Sequence, residues 1–223
     1  MSDYSRIEVA LKMKETGMIP VFYNADAETA KQVVKACYDG GVRVFEFTNR
    51  GDFAHEVFVE VKKYCLENLP GMMLGVGSII DAPTAALYIQ SGADFIVCPA
   101  LVEEVAFLAN KRKILWSPGC GSVTEITRAH ELGAEIVKIF PGKQVGGPDF
   151  VKAVRGPLPY ASIMPTGGVS PTEENLKEWF TAGVYCVGMG SKLIEKGLLQ
   201  NKDFATLTKN VKQALDIIKK YKL

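Results

Sequence analysis

The chain has almost no net charge with which to attract a polyanion. Its 26 Lys and Arg stand against 25 Asp and Glu, which leaves +1 over 223 residues. That balance lacks the basic excess of a nucleic-acid partner. Histidine is scarce, with only His55 and His130. His55 falls off the apolar stripe of Ala54, Val57, Phe58 and Val61 and is expected to face solvent, and His130 sits in a helix-like stretch without an evident partner. A histidine-based triad or metal centre is therefore not expected. The cysteines Cys37, Cys65, Cys98, Cys120 and Cys186 are odd in number and scattered, and no Cys-x-x-Cys occurs. They read as reduced, mostly buried thiols, with neither a disulfide frame nor a zinc site. No apolar run approaches the roughly 20 residues of a membrane span. The opening Met-Ser-Asp-Tyr-Ser-Arg lacks the character of a signal peptide, so the cytoplasm is the default location. No linker or low-complexity segment interrupts the chain, which reads as one domain over 1–223.

What is present is a regular alternation. An opening helix over 3–16, with Tyr4, Ile7 and Leu11 on one face, precedes an apolar run from Met18 to Tyr23. Helical patterns over 27–39, 53–67, 82–91, 102–110, 122–132, 148–155, 172–181 and 203–221 then alternate with short strand-like runs. The last helix carries Phe204, Leu207, Val211, Ala214, Leu215 and Ile218 on one stripe. About eight β/α units imply a parallel sheet closed as a (β/α)8 barrel, with one extra N-terminal helix. An open, doubly wound sheet is the alternative architecture, disfavoured by the length and the number of units.

One run, Glu135-Ile-Val-Lys-Ile-Phe-Pro-Gly142, puts a cation in the middle of a buried-strand pattern. An ammonium is costly to bury unless it is paired or neutralised. Burial favours a lysine's neutral amine, which can attack a carbonyl and form a Schiff base. The competing reading has Lys138 snorkelling to the surface or ion-paired. Lys35 and Lys152 also have apolar neighbours, but their segments have helical spacing, and Lys35 lies on an outer face.

A repeated phrase sets the register. Gly41-Val-Arg-Val-Phe-Glu46, Gly92-Ala-Asp-Phe-Ile-Val97, Gly133-Ala-Glu-Ile-Val-Lys138 and Gly183-Val-Tyr-Cys-Val-Gly188 share one form. Glu46 and Lys138 hold the same sixth place, so both are expected to face the barrel interior near one end. Period-two alternation puts Glu46, Thr48 and Arg50 on one face, towards the same cavity. The competing reading of Glu46 and Arg50 is a structural ion pair. Two glycine-rich segments, Pro165-Thr-Gly-Gly-Val-Ser-Pro171 and Gly188-Met-Gly-Ser191, follow the seventh and eighth strands. The second is expected to enter a helix directly. Glycines let backbone N–H groups approach an anion, and barrels commonly bind phosphate at these two loops.

These segments resemble the 2-keto-3-deoxy-6-phosphogluconate aldolases and the related 4-hydroxy-2-oxoglutarate aldolases over nearly the whole chain. The resemblance runs from Ile19-Pro-Val21 through Gly41 to Arg50, Gly75-Val-Gly-Ser78, Cys98-Pro99 and Ser117-Pro-Gly119. It continues through Val137-Lys-Ile-Phe-Pro141 and Pro165-Thr-Gly-Gly168 to Gly190-Ser191. It implies a trimeric class I aldolase that needs no metal or other cofactor. The implied reaction cleaves a 2-keto-3-deoxy sugar acid phosphate to pyruvate and glyceraldehyde 3-phosphate. By matching positions, Lys138 is implied as the Schiff-base lysine, Glu46 as the general acid/base and Arg50, with Ser78, as the carboxylate binder. Pro99, Phe140, Thr166, Gly167, Gly168, Gly190 and Ser191 are implied to line the substrate and phosphate site.

Four features depart from the family pattern: Ser78 where Thr is usual, Gly142 where Ala is usual, Trp116-Ser-Pro-Gly-Cys120, and Lys192 after Ser191. They bear on which sugar acid is used rather than on the Schiff-base chemistry. A metal-dependent aldolase or phosphosugar epimerase on the same fold is a competing enzyme class. A non-catalytic phosphosugar-binding barrel is the competing non-enzyme class.

Overall fold

A computed structural model describes residues 2–222. Its strands are β1 (Met18–Phe22), β2 (Val44–Thr48), β3 (Met73–Gly77), β4 (Phe95–Val97), β5 (Leu115–Ser117), β6 (Gly119–Cys120), β7 (Val137–Ile139), β8 (Ile163–Pro165) and β9 (Val187–Met189). The helices are α1 (Arg6–Thr16), α2 (Ala27–Asp39), α3 (Ala54–Asn68), α4 (Ala82–Gln90), α5 (Glu103–Arg112), α6 (Val123–Glu131), α7 (Gly147–Arg155), α8 (Glu173–Thr181), α9 (Lys196–Gln200) and α10 (Phe204–Tyr221).

Several helices start where a short polar side chain can accept an otherwise unpaired backbone N–H. Ser5, Asp26, Asp81, Ser122, Thr172 and Asp203 cap α1, α2, α4, α6, α8 and α10 in this way. Each cap stabilises its helix by about 1 kcal/mol.

Every strand pair is parallel. Six strands run in the order β5-β4-β3-β2-β1-β9, and three in the order β6-β7-β8. The result is an α/β fold whose parallel sheet is curled as a half-barrel. The two groups meet at two seams. At one, Pro118 separates β5 from β6 because proline has no N–H for the ladder, yet its carbonyl accepts from Lys138 N at 2.8 Å. At the other, Thr166 bridges Gly188 in parallel, and Tyr185 N donates to Ile163 O at 2.8 Å.

The core lies on both faces of the sheet. The larger cluster fills the space between sheet and helices, with Phe45, Phe47, Phe58 and Trp179 among its fully buried members. The smaller cluster lies on the other face, and six of the nine strands contribute to it through Ile19, Val44, Met73, Phe95, Leu115 and Met164. Val9, Ala10 and Met13 of α1 complete it from below.

Some expectations are corrected. The buried face of α1 is Val9, Ala10 and Met13, whereas Ile7 and Leu11 are exposed. The apolar periodicity of α1 is two-sided, and contact with the interior cluster decided which side is covered. His55 is half-buried rather than solvent-facing. The strand bearing Lys138 covers only Val137–Ile139, and Glu135, two residues before it, pairs with Arg6. Ser191 does not enter a helix directly. Leu193 and Ile194 N–H close a single turn on Gly190 O, and the five-residue α9 begins only at Lys196. Membrane-crossing length and apolarity are found in no described helix.

Candidate active site

Two lysines are buried, and their surroundings differ. Lys62 donates to Asp94 at 2.7 Å, and the same carboxylate accepts Leu74 N at 2.8 Å. This is a fully neutralised structural pair. The side chain of Lys138, a residue 5% exposed on β7, makes no hydrogen bond to the described residues. Its Nζ stands 3.9 Å from Glu46 Oε1 and 5.0 Å from the centroid of the Phe140 ring. The Lys138 Nζ thus has its hydrogen-bonding capacity free for a ligand.

Glu46 is 1% exposed, and its second oxygen, Oε2, has no hydrogen-bond partner among the described residues. Burial pushes its carboxyl above the usual carboxylate range, against the opposing pull of Lys138 and Arg50. The carboxylate fits because β3 has no side chain where it lies. A Cβ at Gly77 would fall on Glu46 Oε1, and one at Gly75 would fall within the Phe95 ring. A Gly-x-Gly inside a strand is a legible sign of such close approach.

A cavity of about 490 Å³ opens beside Thr48 and Phe140. Neither Glu46 nor Lys138 lines it, but the Phe140 ring that does lies 5.0 Å from Lys138 Nζ. Arg50, Phe140, Thr166, Gly167, Gly168 and Ser191 line it, together with Gly190 and Thr48. Glu46 and Thr48 share one face of β2 by period-two alternation, and Thr48 reaches the cavity. Arg50 lies past the strand end and lines the cavity from the turn that follows. Arg50 Nε donates to Ser78 Oγ at 3.3 Å, which joins Ser78 to the cavity indirectly. Ser78 has φ 63°, in the left-handed region, where a β-branched residue is strongly disfavoured. Serine in place of threonine relieves that cost and keeps the hydroxyl. Pro99 does not line the cavity; it lies behind Gly119, whose Cβ would fall on the Pro99 carbonyl. Gly119 is the β-ladder partner of Lys138, so Pro99 is one strand removed from the amine.

The glycine loops pack main chain on main chain. Gly142 N donates to Thr166 O at 2.9 Å and Lys143 N to Gly167 O at 3.0 Å. A Cβ at Gly142 would lie 2.8 Å from Gly167 O, so glycine rather than alanine permits this approach. Gly167 and Gly168 both have positive φ, 93° and 83°. Thr166 Oγ1 is buried without a protein partner over Gly188, where any Cβ would meet it.

Several cavity residues were not singled out by the sequence: Tyr23, Asn24 and Lys196. Tyr23 and Asn24 lie at the end of β1, and the position of a residue at a strand's C-terminal end was the available signal. Lys196 had none, since α9 itself was not foreseen.

A family model described as KDPG and KHG aldolase matches residues 9–210. The chain is 32% identical over 199 residues to a 2-dehydro-3-deoxy-phosphogluconate aldolase of Pseudoalteromonas atlantica, covering 89% of each. It is 30% identical over 200 residues to the KHG/KDPG aldolase of Escherichia coli, covering 89% of this chain and 91% of that one. Among solved structures, KDPG aldolase from Legionella pneumophila superposes with a TM-score of 0.83 at 26% identity. The match covers 92% of this chain and 97% of that one, whose structure holds pyruvate captured at low pH as a covalent carbinolamine intermediate.

Proposed function

The chain belongs to the KDPG and KHG aldolase family, and from that premise we propose that it is a class I aldolase that cleaves 2-keto-3-deoxy-6-phosphogluconate to pyruvate and glyceraldehyde 3-phosphate. The observation that carries this reading is Lys138: buried, its Nζ without a hydrogen bond to the described residues, 3.9 Å from Glu46 and 5.0 Å from the ring of Phe140, which lines the cavity. Lys138 Nζ attacks the C2 ketone, and loss of water gives an iminium. The iminium accepts the electron pair released when C3–C4 breaks, so no metal or other cofactor is required. Glu46 takes the C4 hydroxyl proton and later returns a proton to the enamine carbon. Arg50, a planar fork, suits the C1 carboxylate, with the Ser78 hydroxyl beside it. Phe140 shapes the wall beside Lys138, and Pro99 backs Gly119, the ladder partner of Lys138.

The finer architecture follows the same reading. The sheets close into a (β/α)8 barrel, with α1 as the extra N-terminal helix. The Thr166–Gly188 bridge, the carbonyl contact at Pro118 and the interior cluster support closure. The chain acts as one domain, in the cytoplasm, as a homotrimer on family grounds.

A second reading within the family is cleavage of 4-hydroxy-2-oxoglutarate, which the Escherichia coli relative's name favours. A turnover panel of the phosphogluconate-derived, phosphogalactonate-derived and hydroxyglutarate-type substrates tests the choice. The highest kcat/KM is expected with 2-keto-3-deoxy-6-phosphogluconate, and turnover of none of the three would overturn the reading.

The far phosphate falls to Thr166, Gly167, Gly168, Gly190 and Ser191. At Gly168, φ is 83° and an added Cβ would collide with the Lys143 Cβ. Gly168→Val is therefore expected to raise KM for the phosphorylated substrate by about tenfold or more, the scale of one charge-assisted hydrogen bond. KM for an unphosphorylated 2-keto acid is expected to change far less. Equal losses for both would mean that the glycines serve only the fold.

A further inference from the structure

Arg50 leaves β2 on a turn that is pinned from two sides by groups outside the catalytic set. On one side the Tyr88 hydroxyl, carried by α4, donates to Asn49 Oδ1 at 2.9 Å. Asn49 N in turn donates to Gly77 O at 2.9 Å, adding one rung to the β2–β3 ladder beyond the strand end. Arg50 N then donates to Thr48 O at 2.9 Å and turns the chain, which leaves Arg50 Nε on Ser78 Oγ at 3.3 Å. On the other side is Gly51, at φ 124°, where a Cβ would lie 2.6 Å from the Tyr23 hydroxyl.

The two tyrosines are the ends of one aromatic ladder. Tyr23 meets Phe47 at 5.7 Å between ring centroids, Phe47 meets Phe58 at 5.9 Å, and Phe58 meets Tyr88 at 5.1 Å, all edge to face. Such contacts resist sliding of one ring past the next. Three of the four rings would pack as well in any apolar core. The Tyr88 hydroxyl would not be needed there, and its partner is a side chain adjacent to Arg50. Burial holds that hydroxyl up to about 12, so it remains a donor at neutral pH.

We propose that Tyr88 and Asn49 are positioning residues for Arg50, setting the guanidinium for the carboxylate of the 2-keto acid. The inference rests on the reading of Arg50 as the carboxylate binder. A flexible arginine stem gains little from a carboxylate unless its base is fixed, because the fork must meet both oxygens at once.

The test is the concentration dependence of pyruvate trapping by borohydride in Tyr88→Phe, Arg50→Ala and the double variant, with thermal midpoints measured alongside. Tyr88→Phe keeps the ring and removes only the hydroxyl. It is expected to raise the half-saturating pyruvate concentration by about tenfold, the scale of one buried hydrogen bond, with the limiting trapping rate preserved. Arg50→Ala is expected to raise it further, and Tyr88→Phe is expected to add nothing in that background. Asn49→Ala, which removes the acceptor and spares the aromatic ladder, is expected to reproduce the pattern of Tyr88→Phe. An unchanged half-saturation in both Tyr88→Phe and Asn49→Ala would overturn the inference. So would the same increment with and without Arg50, since the tyrosine would then act only on the fold. An Arg50→Ala variant that captures pyruvate as the parent does would instead overturn the reading of Arg50 beneath it.

Discussion

Lys138→Ala is expected to lose both the pyruvate adduct and the cleavage reaction. Borohydride added with pyruvate should leave a stable mass increment on the peptide carrying Lys138 in the parent chain, and none in the variant. The loss in kcat should be on the order of 10⁴-fold or more, because removing a nucleophile removes the covalent route itself. Lys62 is the internal control. It is as deeply buried as Lys138, but Asp94 at 2.7 Å and the surrounding core hold its ammonium in a closed pair. An adduct on Lys62, or on Lys143 beside the Gly167–Gly168 loop, would show that the assignment to Lys138 was wrong. Cleavage that continues without any adduct would end the class I assignment.

Glu46→Gln is the second large effect. Glutamine has nearly the shape of glutamate, so it should settle against Gly77 and leave Lys138 able to capture pyruvate. It cannot accept a proton from the C4 hydroxyl. Turnover is expected to fall by about 10²–10⁴-fold, the usual contribution of a positioned general base. The pH profile supplies an independent sign. Burial raises the Glu46 carboxyl, so its base form is lost at a higher pH than for a free glutamate as the solution is acidified. The acid limb of kcat/KM should therefore lie above the free-carboxylate value of about 4.3. That limb should vanish in Glu46→Gln. A variant that turns over at the parental rate would remove Glu46 from the proton path.

The legibility of this site in the sequence depended on the range of the forces involved. Lys138 and Glu46 could be found because the repeated glycine-led phrase and strand alternation are local patterns, and the two side chains do meet inside the fold. Arg50 followed from the same alternation. The glycine loop at 167–168 was visible because positive φ at Gly167 and Gly168 demands glycine. What escaped was set by distant contacts. The buried side of α1 was misread because Ile7 and Leu11 are as apolar as Val9 and Met13. Only the interior cluster, gathered from strands up to Cys186, determines which side is covered. The break at Pro118 required knowing that β5 and β6 pair with different neighbours. The partnership of Tyr88 with Asn49 spans 39 residues and leaves no periodic trace.

Gly77 has a consequence for anyone who would move this chemistry to another scaffold. The carboxylate of Glu46 occupies the volume that a methyl group on the neighbouring strand would take. Grafting a lysine and a glutamate onto facing strands would therefore transfer the two functional groups but not the space they need. A recipient with alanine at the equivalent of Gly77 would force the acid into another rotamer, away from the amine. The unit to transplant is three residues on three strands, and the third contributes an empty place.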